Sequence, residues 1–284
     1  MSLVQARGLT KRYGDVTALD AFDLTVEPGR IVGLIGPNGS GKTTALKSIL
    51  GLAHLDAGDL SVLGLRPEKK RRDLMRRTAY IADTGILPRW MRVAHLLDFM
   101  ADVNPSFDRA SAVAALEKTE VRLDKKILTL SKGMNVQLHL ALVLAIDTEL
   151  LVLDEPTLGL DILYRQQFYD SVLNDYFEEK RSILVTTHEV REIEHILTDV
   201  TFIHHGRNIL DLATDQLAVE FAKVTTSESG AQALRALAPL SERHTLHGTE
   251  MLFRGADQDD LARHGEVATP NLPEIFVALV GDHL

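Results

Sequence analysis

An unbroken apolar run, "IVGLIG" at 31–36, passes directly into a glycine-rich stretch, "GPNGSGKTT" at 36–44. A helical pattern starting near Lys42 follows, so this segment is a strand, a loop and a helix in that order. No other part of the chain narrows its fold as far. The loop satisfies Gly-x-x-x-x-Gly-Lys-Ser/Thr through Gly36, Gly41, Lys42 and Thr43. Its glycines let the backbone wrap an anion so that successive N–H groups point inward, and the helix behind adds the positive end of its dipole. The motif predicts that backbone from Gly36 through Asn38, Gly39, Ser40 and Gly41 to Thr44 cradles phosphate. Lys42 then reaches the β- and γ-phosphates, and the Thr43 hydroxyl ligates Mg²⁺. A chance glycine-rich turn would need neither the strand before it nor the helix after it. The expected ligand is a nucleoside triphosphate.

Two further apolar runs, "ELLVLDEP" at 149–156 and "RSILVTTH" at 181–188, read as parallel strands covered on both faces. The helical patterns between the strands supply the crossovers, so an α/β core is expected. Asp154 ends the first of these runs, where it can hold the magnesium shell. Glu155 beside it can polarise a water for attack on the γ-phosphate as a general base. An isolated Asp-Glu pair would read as a solvated strand end, but four apolar residues precede this one in a chain with a phosphate loop. His188 ends the second run. A lone His is more often structural, yet the end of a core strand in such a protein lies near the phosphates, which favours contact with the γ-phosphate and its attacking water. The other ten histidines show no metal-ligand spacing, and His204–His205 is expected to close a strand.

Composition removes several alternatives. The chain has no cysteine, which excludes disulfides and thiolate metal sites. The longest apolar stretch, "LALVLAI" at 140–146, is too short to span a bilayer, and "MSLVQARGLTKRYG" lacks the apolar core of a signal peptide. The expectation is a soluble protein, or one bound to a membrane through another chain. A net charge of −9 argues against general nucleic-acid binding. The basic run "KKRRDLMRR" at 69–77, without interleaved aromatics, reads as a solvated helix face.

Short β-like runs and turns fill residues 1–30, and a mostly helical pattern occupies about 87–145. The character changes near residue 212. Beyond it come small polar residues, an alanine-rich helix pattern, the strand-like "EMLFRG" and a final "LPEIFVALVGDHL". The expected division is a main domain over 1–219 and a small α+β appendix over 220–284.

The order of phosphate loop, helical segment, "LSKGM" at 130–134, "LLVLDEP", "TLGLD" at 157–161 and strand-end His resembles the ATP-binding subunit of an ABC transporter. The resemblance covers roughly residues 3–212. It implies an α/β P-loop core of ABC ATPase type with an antiparallel β subdomain and a helical subdomain. It further implies ATP and Mg²⁺ as ligands, a separate membrane-spanning permease, and a second ATPase subunit packed head to tail. In that arrangement Ser131 and Gly133 take the role of the signature loop, closing over the γ-phosphate bound by the other subunit. Asp161 takes that of the D-loop, and Tyr13 in "LTKRYG" matches the aromatic that stacks on adenine. Asp83 in "TAYIADTG" stands where the family has a Q-loop glutamine near Mg²⁺; it is shorter and adds a charge. Leu158 and Ile162 replace a usual Ser and Pro around the D-loop. Lys132 and Met134 replace a Gly and Gln in the signature, yet Ser131 and Gly133 keep the expected phosphate contacts, and Lys132 adds a cation facing polyphosphate. The lysine variant and the "LPEIFVALVG" ending both resemble a bacterial branch of ABC-2-type exporters. The implied location is the cytoplasmic face of the membrane.

Two other readings stand beside this one. A soluble ABC ATPase working on DNA or ribosomes usually carries a long coiled-coil insertion or two cassettes, and neither is present. A non-catalytic ATP switch is opposed by the intact Glu155 and His188.

Overall fold

The computed structural model describes residues 2–82, 87–157, 162–173, 177, 181–246 and 248–281. Asp83, Leu158 and Asp161, singled out from the sequence, lie outside them. Contacts divide the chain into two compact units, Met1–Leu197 with Ile203–Asn208, and Thr198–Phe202 with Ile209–Leu284.

In the first unit, β1 (Val4–Tyr13) and β2 (Val16–Val26) form a hairpin. The strand β3 (Ile31–Ile35) leads through the phosphate loop into α1 (Lys42–Ile49). Then follow β4 (Ala57–Val62), α2 (Pro67–Leu74) and β5 (Thr78–Ile81). Three helices, α3 (Val93–Val103), α4 (Arg109–Glu117) and α5 (Lys132–Leu144), account for the helical pattern read over 87–145. The unit continues with β6 (Leu150–Asp154), α6 (Ile162–Ser171) and β7 (Ser182–Thr187).

β5, β6, β7 and β3 lie side by side in that order and run parallel. All residues of β3, β6 and β7 are buried, which is why these strands read as unbroken Val/Ile/Leu runs. A separate antiparallel sheet has the order β2-β1-β4. Its inward residues, among them Val4, Leu24 and Val62, share one core with Leu34, Leu46 and Val152. That core anchors the phosphate loop between two layers. As read from the sequence, the basic run is a solvated face: Lys69, Lys70, Arg71 and Arg72 on α2 are exposed.

The second unit holds most of β8 (Asp199–His204) and β9 (Arg207–Ala213), followed by α7 (Leu217–Glu220). As expected, His204 ends a strand. Then come β10 (Phe221–Thr226), α8 (Glu228–Leu234), β11 (Ser241–Thr245), β12 (Gly248–Arg254), α9 (Gln258–Ala262), β13 (Glu266–Ala268) and α10 (Leu272–Gly281). From β10 to β13 this is a split βαβ arrangement, βαββαβ, with antiparallel strand order β11-β12-β10-β13. Ala222, Val224, Met251 and Phe253 pack with Ala231, Leu234 and Leu261 on one face. Lys223 on β10 pairs with Glu274 on α10 at 2.7 Å. The α+β character expected here holds, but the sequence reading found one strand where the sheet has four. The strand β11, "SERHT", has no buried residue, so no hydrophobic alternation marks it.

Candidate nucleotide site

The site forms where β3, β6 and β7 end. Gly36 leaves β3 with its Cα against neighbouring backbone: a Cβ there would collide with the Ile203 carbonyl oxygen and lie 2.6 Å from Ser40 Oγ. Gly41 begins α1 at φ +114°, a left-handed conformation that strains any L side chain. The Gly206 amide donates to the Ser40 carbonyl at 2.8 Å and supports the loop from behind. Asn38 and Gly39 are exposed at the loop tip, Thr44 is half-buried in the first turn of α1, and the buried Ser40 hydroxyl has no hydrogen-bond partner.

Lys42 is 5% exposed. Its ammonium donates to the Gly36 carbonyl at 2.6 Å and the Pro37 carbonyl at 3.2 Å, and lies 3.2 Å from Glu155 Oε1. The ion pair is close but lacks hydrogen-bond alignment, so Oε1 is a buried oxygen with no aligned donor. The other oxygen of Glu155, Oε2, is 2.7 Å from His188 Nδ1. One carboxylate therefore stands between the loop lysine and the strand-end histidine. Glu155 has φ +48°, in the left-handed region, because the chain turns sharply as it leaves β6.

Asp154 is buried at the end of β6. Its Oδ1 accepts from the Thr43 hydroxyl at 3.2 Å and the Thr186 hydroxyl at 2.8 Å, and its Oδ2 accepts from the Tyr80 hydroxyl at 3.3 Å. Sequence reasoning named Thr43 but not Thr186 or Tyr80. Thr186 stands two residues before His188 and so lies on the same β7 end. Tyr80 is on the neighbouring β5, a strand the apolar-run criterion passed over.

These residues fit a magnesium–triphosphate. Thr43 gives its only proton to Asp154, so both lone pairs of its oxygen remain for a cation. Among the described residues no cluster of three His, Cys, Asp or Glu forms a metal cage. Mg²⁺ is held by one or two carboxylates plus waters and phosphate oxygens, and the buried Asp154 beside the Thr43 hydroxyl is a donor set of that kind. Among the described residues, the buried side-chain oxygens without aligned partners are Ser40 Oγ and Glu155 Oε1, in this same loop and at these strand ends.

The other predicted residues lie apart in the hydrogen-bond network. Tyr13, at the tip of the β1–β2 hairpin, is 50% exposed, with the Lys11 ammonium 5.1 Å from its ring centre. Ser131 caps α5, its hydroxyl accepting from the Met134 amide at 3.2 Å. The Asn135 side chain donates to the carbonyls of Leu130 and Ser131 at 3.3 and 3.1 Å, which fixes the turn. Gly133 is buried in the first turn, while Ser131 and Lys132 are exposed. The altered "LSKGM" loop is thus an ordered helix start.

A family profile described as "ABC transporter" matches residues 19–158. "Nod factor export ATP-binding protein I" of Burkholderia orbicola is 36% identical, with 75% of this chain and 72% of that protein aligned. The protein of the same name from Cupriavidus metallidurans is 30% identical over 99% of this chain and 98% of its own length. Among solved structures, "Structure of ATP binding subunit of ABC transporter" superposes with a TM-score of 0.67 at 25% identity, covering 92% of this chain and 98% of the other. The fold expected from the sequence is the fold of these proteins. The chain belongs to the ABC transporter family as an ATP-binding subunit, an ATPase that uses ATP with Mg²⁺.

Proposed function

We propose that this subunit hydrolyses ATP at the ends of β3, β6 and β7 and drives export through a membrane-spanning permease. The observation that carries the reading is the Glu155 carboxylate, held 3.2 Å from Lys42 Nζ and 2.7 Å from His188 Nδ1, one residue beyond Asp154. Lys42 turns from the Gly36 and Pro37 carbonyls to the β- and γ-phosphates. That releases Glu155 Oε1 to take a proton from the attacking water, while His188 keeps Oε2 in place and faces the γ-phosphate. Thr43 and Asp154 would hold Mg²⁺, with Asp83 as a further ligand, and the bound ion would supply positive charge to offset that of the triphosphate. Loop amides from Gly36 to Thr44 bind the phosphates, and Tyr13 stacks on adenine.

The site is completed by a second ATPase subunit, identical or homologous, packed head to tail. Its Ser131 hydroxyl and Gly133 amide close over the γ-phosphate, with Asp161 of its D-loop alongside. Residues 1–219 form the ATPase domain, with its helical subdomain at about 87–145, and 220–284 a separate appendix. Support for export comes from the names of the curated relatives, which are export ATP-binding proteins, and from the signature variant and chain ending described above. Among the described residues no helix is long and apolar enough to cross a membrane. The permease is a separate chain, and the subunit sits on its cytoplasmic side.

Phosphate release from ATP tests the catalytic part. Glu155→Gln should lower turnover by about 10²–10⁴, the usual worth of a general base. Turnover at the parental rate would place the base elsewhere.

A further inference from the structure

The Thr186 hydroxyl is used twice. It donates to Asp154 Oδ1 at 2.8 Å and accepts the Glu155 amide at 3.2 Å. A longer alternative for its proton, the Leu153 carbonyl, lies at 3.5 Å. The residue is fully buried on β7, directly across the parallel ladder from Asp154. The same Glu155 amide also reaches the Thr186 carbonyl at 3.2 Å, so two acceptors of one residue hold the turn in which Glu155 sits at φ +48°. A hydroxyl has one proton to give and lone pairs to receive, and here both capacities are directed at adjacent functional residues.

We propose that Thr186 is a positioning residue that sets Asp154 for the metal and Glu155 for the water through this single hydroxyl, with Tyr80 steadying the far oxygen of Asp154. The inference rests on the site reading given above. With Oδ1 held by Thr186 and Oδ2 by Tyr80, the carboxylate plane is fixed from two strands, β7 and β5. Thr43 then meets a fixed acceptor and keeps its lone pairs turned outward. Without the Thr186 hydroxyl, Asp154 loses its shortest hydrogen bond and keeps only the longer ones from Thr43 at 3.2 Å and Tyr80 at 3.3 Å, and the Glu155 amide loses one of its two acceptors. Catalysis depends on placement at the scale of an ångström, so loss of this hydroxyl should affect metal use and turnover together.

Thr186→Val keeps shape and removes the hydroxyl; Thr186→Ser keeps the hydroxyl and removes a methyl. The primary readout is ADP affinity by calorimetry with Mg²⁺ and with EDTA, accompanied by melting temperature and steady-state phosphate release. In Thr186→Val the Mg²⁺-dependent gain in ADP affinity should shrink at least fivefold and turnover fall about 10–100-fold. Metal-free ADP affinity should stay within about twofold, because the phosphate loop is untouched. Thr186→Ser should restore both quantities to within about threefold of the parent, and Tyr80→Phe should show a smaller loss of the metal-dependent gain. Parental metal dependence and turnover in Thr186→Val would overturn the inference. So would a serine variant no better than valine, or a valine variant whose metal-free affinity and melting temperature fall together. Asp154→Asn run in parallel separates the two levels. If it too keeps metal dependence and turnover, the site reading fails; if it loses them while Thr186→Val does not, only the role of Thr186 falls.

Discussion

Replacing Glu155 by Gln should tighten nucleotide binding as well as slow turnover, because the charge that leaves competes with phosphate for Lys42. At 3.2 Å, with an effective dielectric constant of about 20, the Lys42–Glu155 attraction is about 5 kcal/mol before solvation is counted. Both side chains are buried, at 5% and 11% exposure, so desolvation cancels much of that attraction. A net remainder of about 1–2 kcal/mol, between the worth of an exposed pair and the unscreened attraction, must be given up when Lys42 turns to a phosphate. Glutamine removes that opposition while keeping the shape of the site. At 1.4 kcal/mol per factor of ten, the gain in affinity is about 5–30-fold. ADP is the ligand to use, since it reports the cradle without hydrolysis. Calorimetric titration of both proteins with ADP and Mg²⁺ gives the ratio directly. Repeating it at high salt should preserve most of the ratio, because a buried pair is weakly screened. Equal or weaker ADP binding by Glu155→Gln would refute the competition between carboxylate and phosphate.

Two further outcomes follow from single contacts. Tyr13→Ala should weaken ATP by about 1–3 kcal/mol, the worth of stacking a base on an aromatic, and leave tripolyphosphate affinity unchanged; an equal loss for both ligands would mean that Tyr13 does not read adenine. Arg77→Ala should lower stability in urea by about 0.5–1 kcal/mol at pH 7, a modest figure because the bidentate pair with Glu149, at 2.5 and 2.8 Å, is 41% and 46% exposed. Hydrogen bonding from Arg77 holds the Glu149 carboxyl below its ordinary value, so this stabilisation is present above the usual carboxylate pKa of about 4.3 and is lost as pH falls through the lower folded one. A difference between the two proteins that is unchanged at pH 3 would assign the effect to the Arg77–Leu63 carbonyl bond at 3.1 Å instead.

The parts of the molecule legible in the sequence are those where one local rule decides. The phosphate loop needs glycines where backbone crowds it, at Gly36 and Gly41, and those glycines stand in the motif itself. Buried parallel strands β3, β6 and β7 show as apolar runs because both faces are covered. Asp154 and Glu155 were found because they end such a run. Thr186 was not, because a threonine in a β strand carries no chemical signal until a neighbouring strand brings a carboxylate to it. Tyr80 escaped for a related reason: β5 has four residues, and its role depends on pairing with β6. Of the four strands in the second unit the sequence shows only β12: the edge strands β11 and β13 contain no buried residue, and the central β10, although mostly buried, ends in the threonines of the polar run "TTSESGAQ", which reads as loop. Antiparallel edge strands face water, and the polar sequence that suits them resembles loop.

The claim that joins this fold to transport is that two subunits share each nucleotide, with "LSKGM" of one acting on ATP held by the other. The most direct measurement mixes two inactive variants, Lys42→Ala and Ser131→Arg, differently tagged so that copurification demonstrates subunit exchange. Phosphate release is then followed, with the membrane partner present if the free protein is slow. In the mixed dimer one interface pairs an intact phosphate loop with an intact Ser131 and Gly133, and the other pairs the two damaged ones. Partial activity should return on mixing, while each variant alone stays at background. Demonstrated exchange with activity still at background would contradict the shared site.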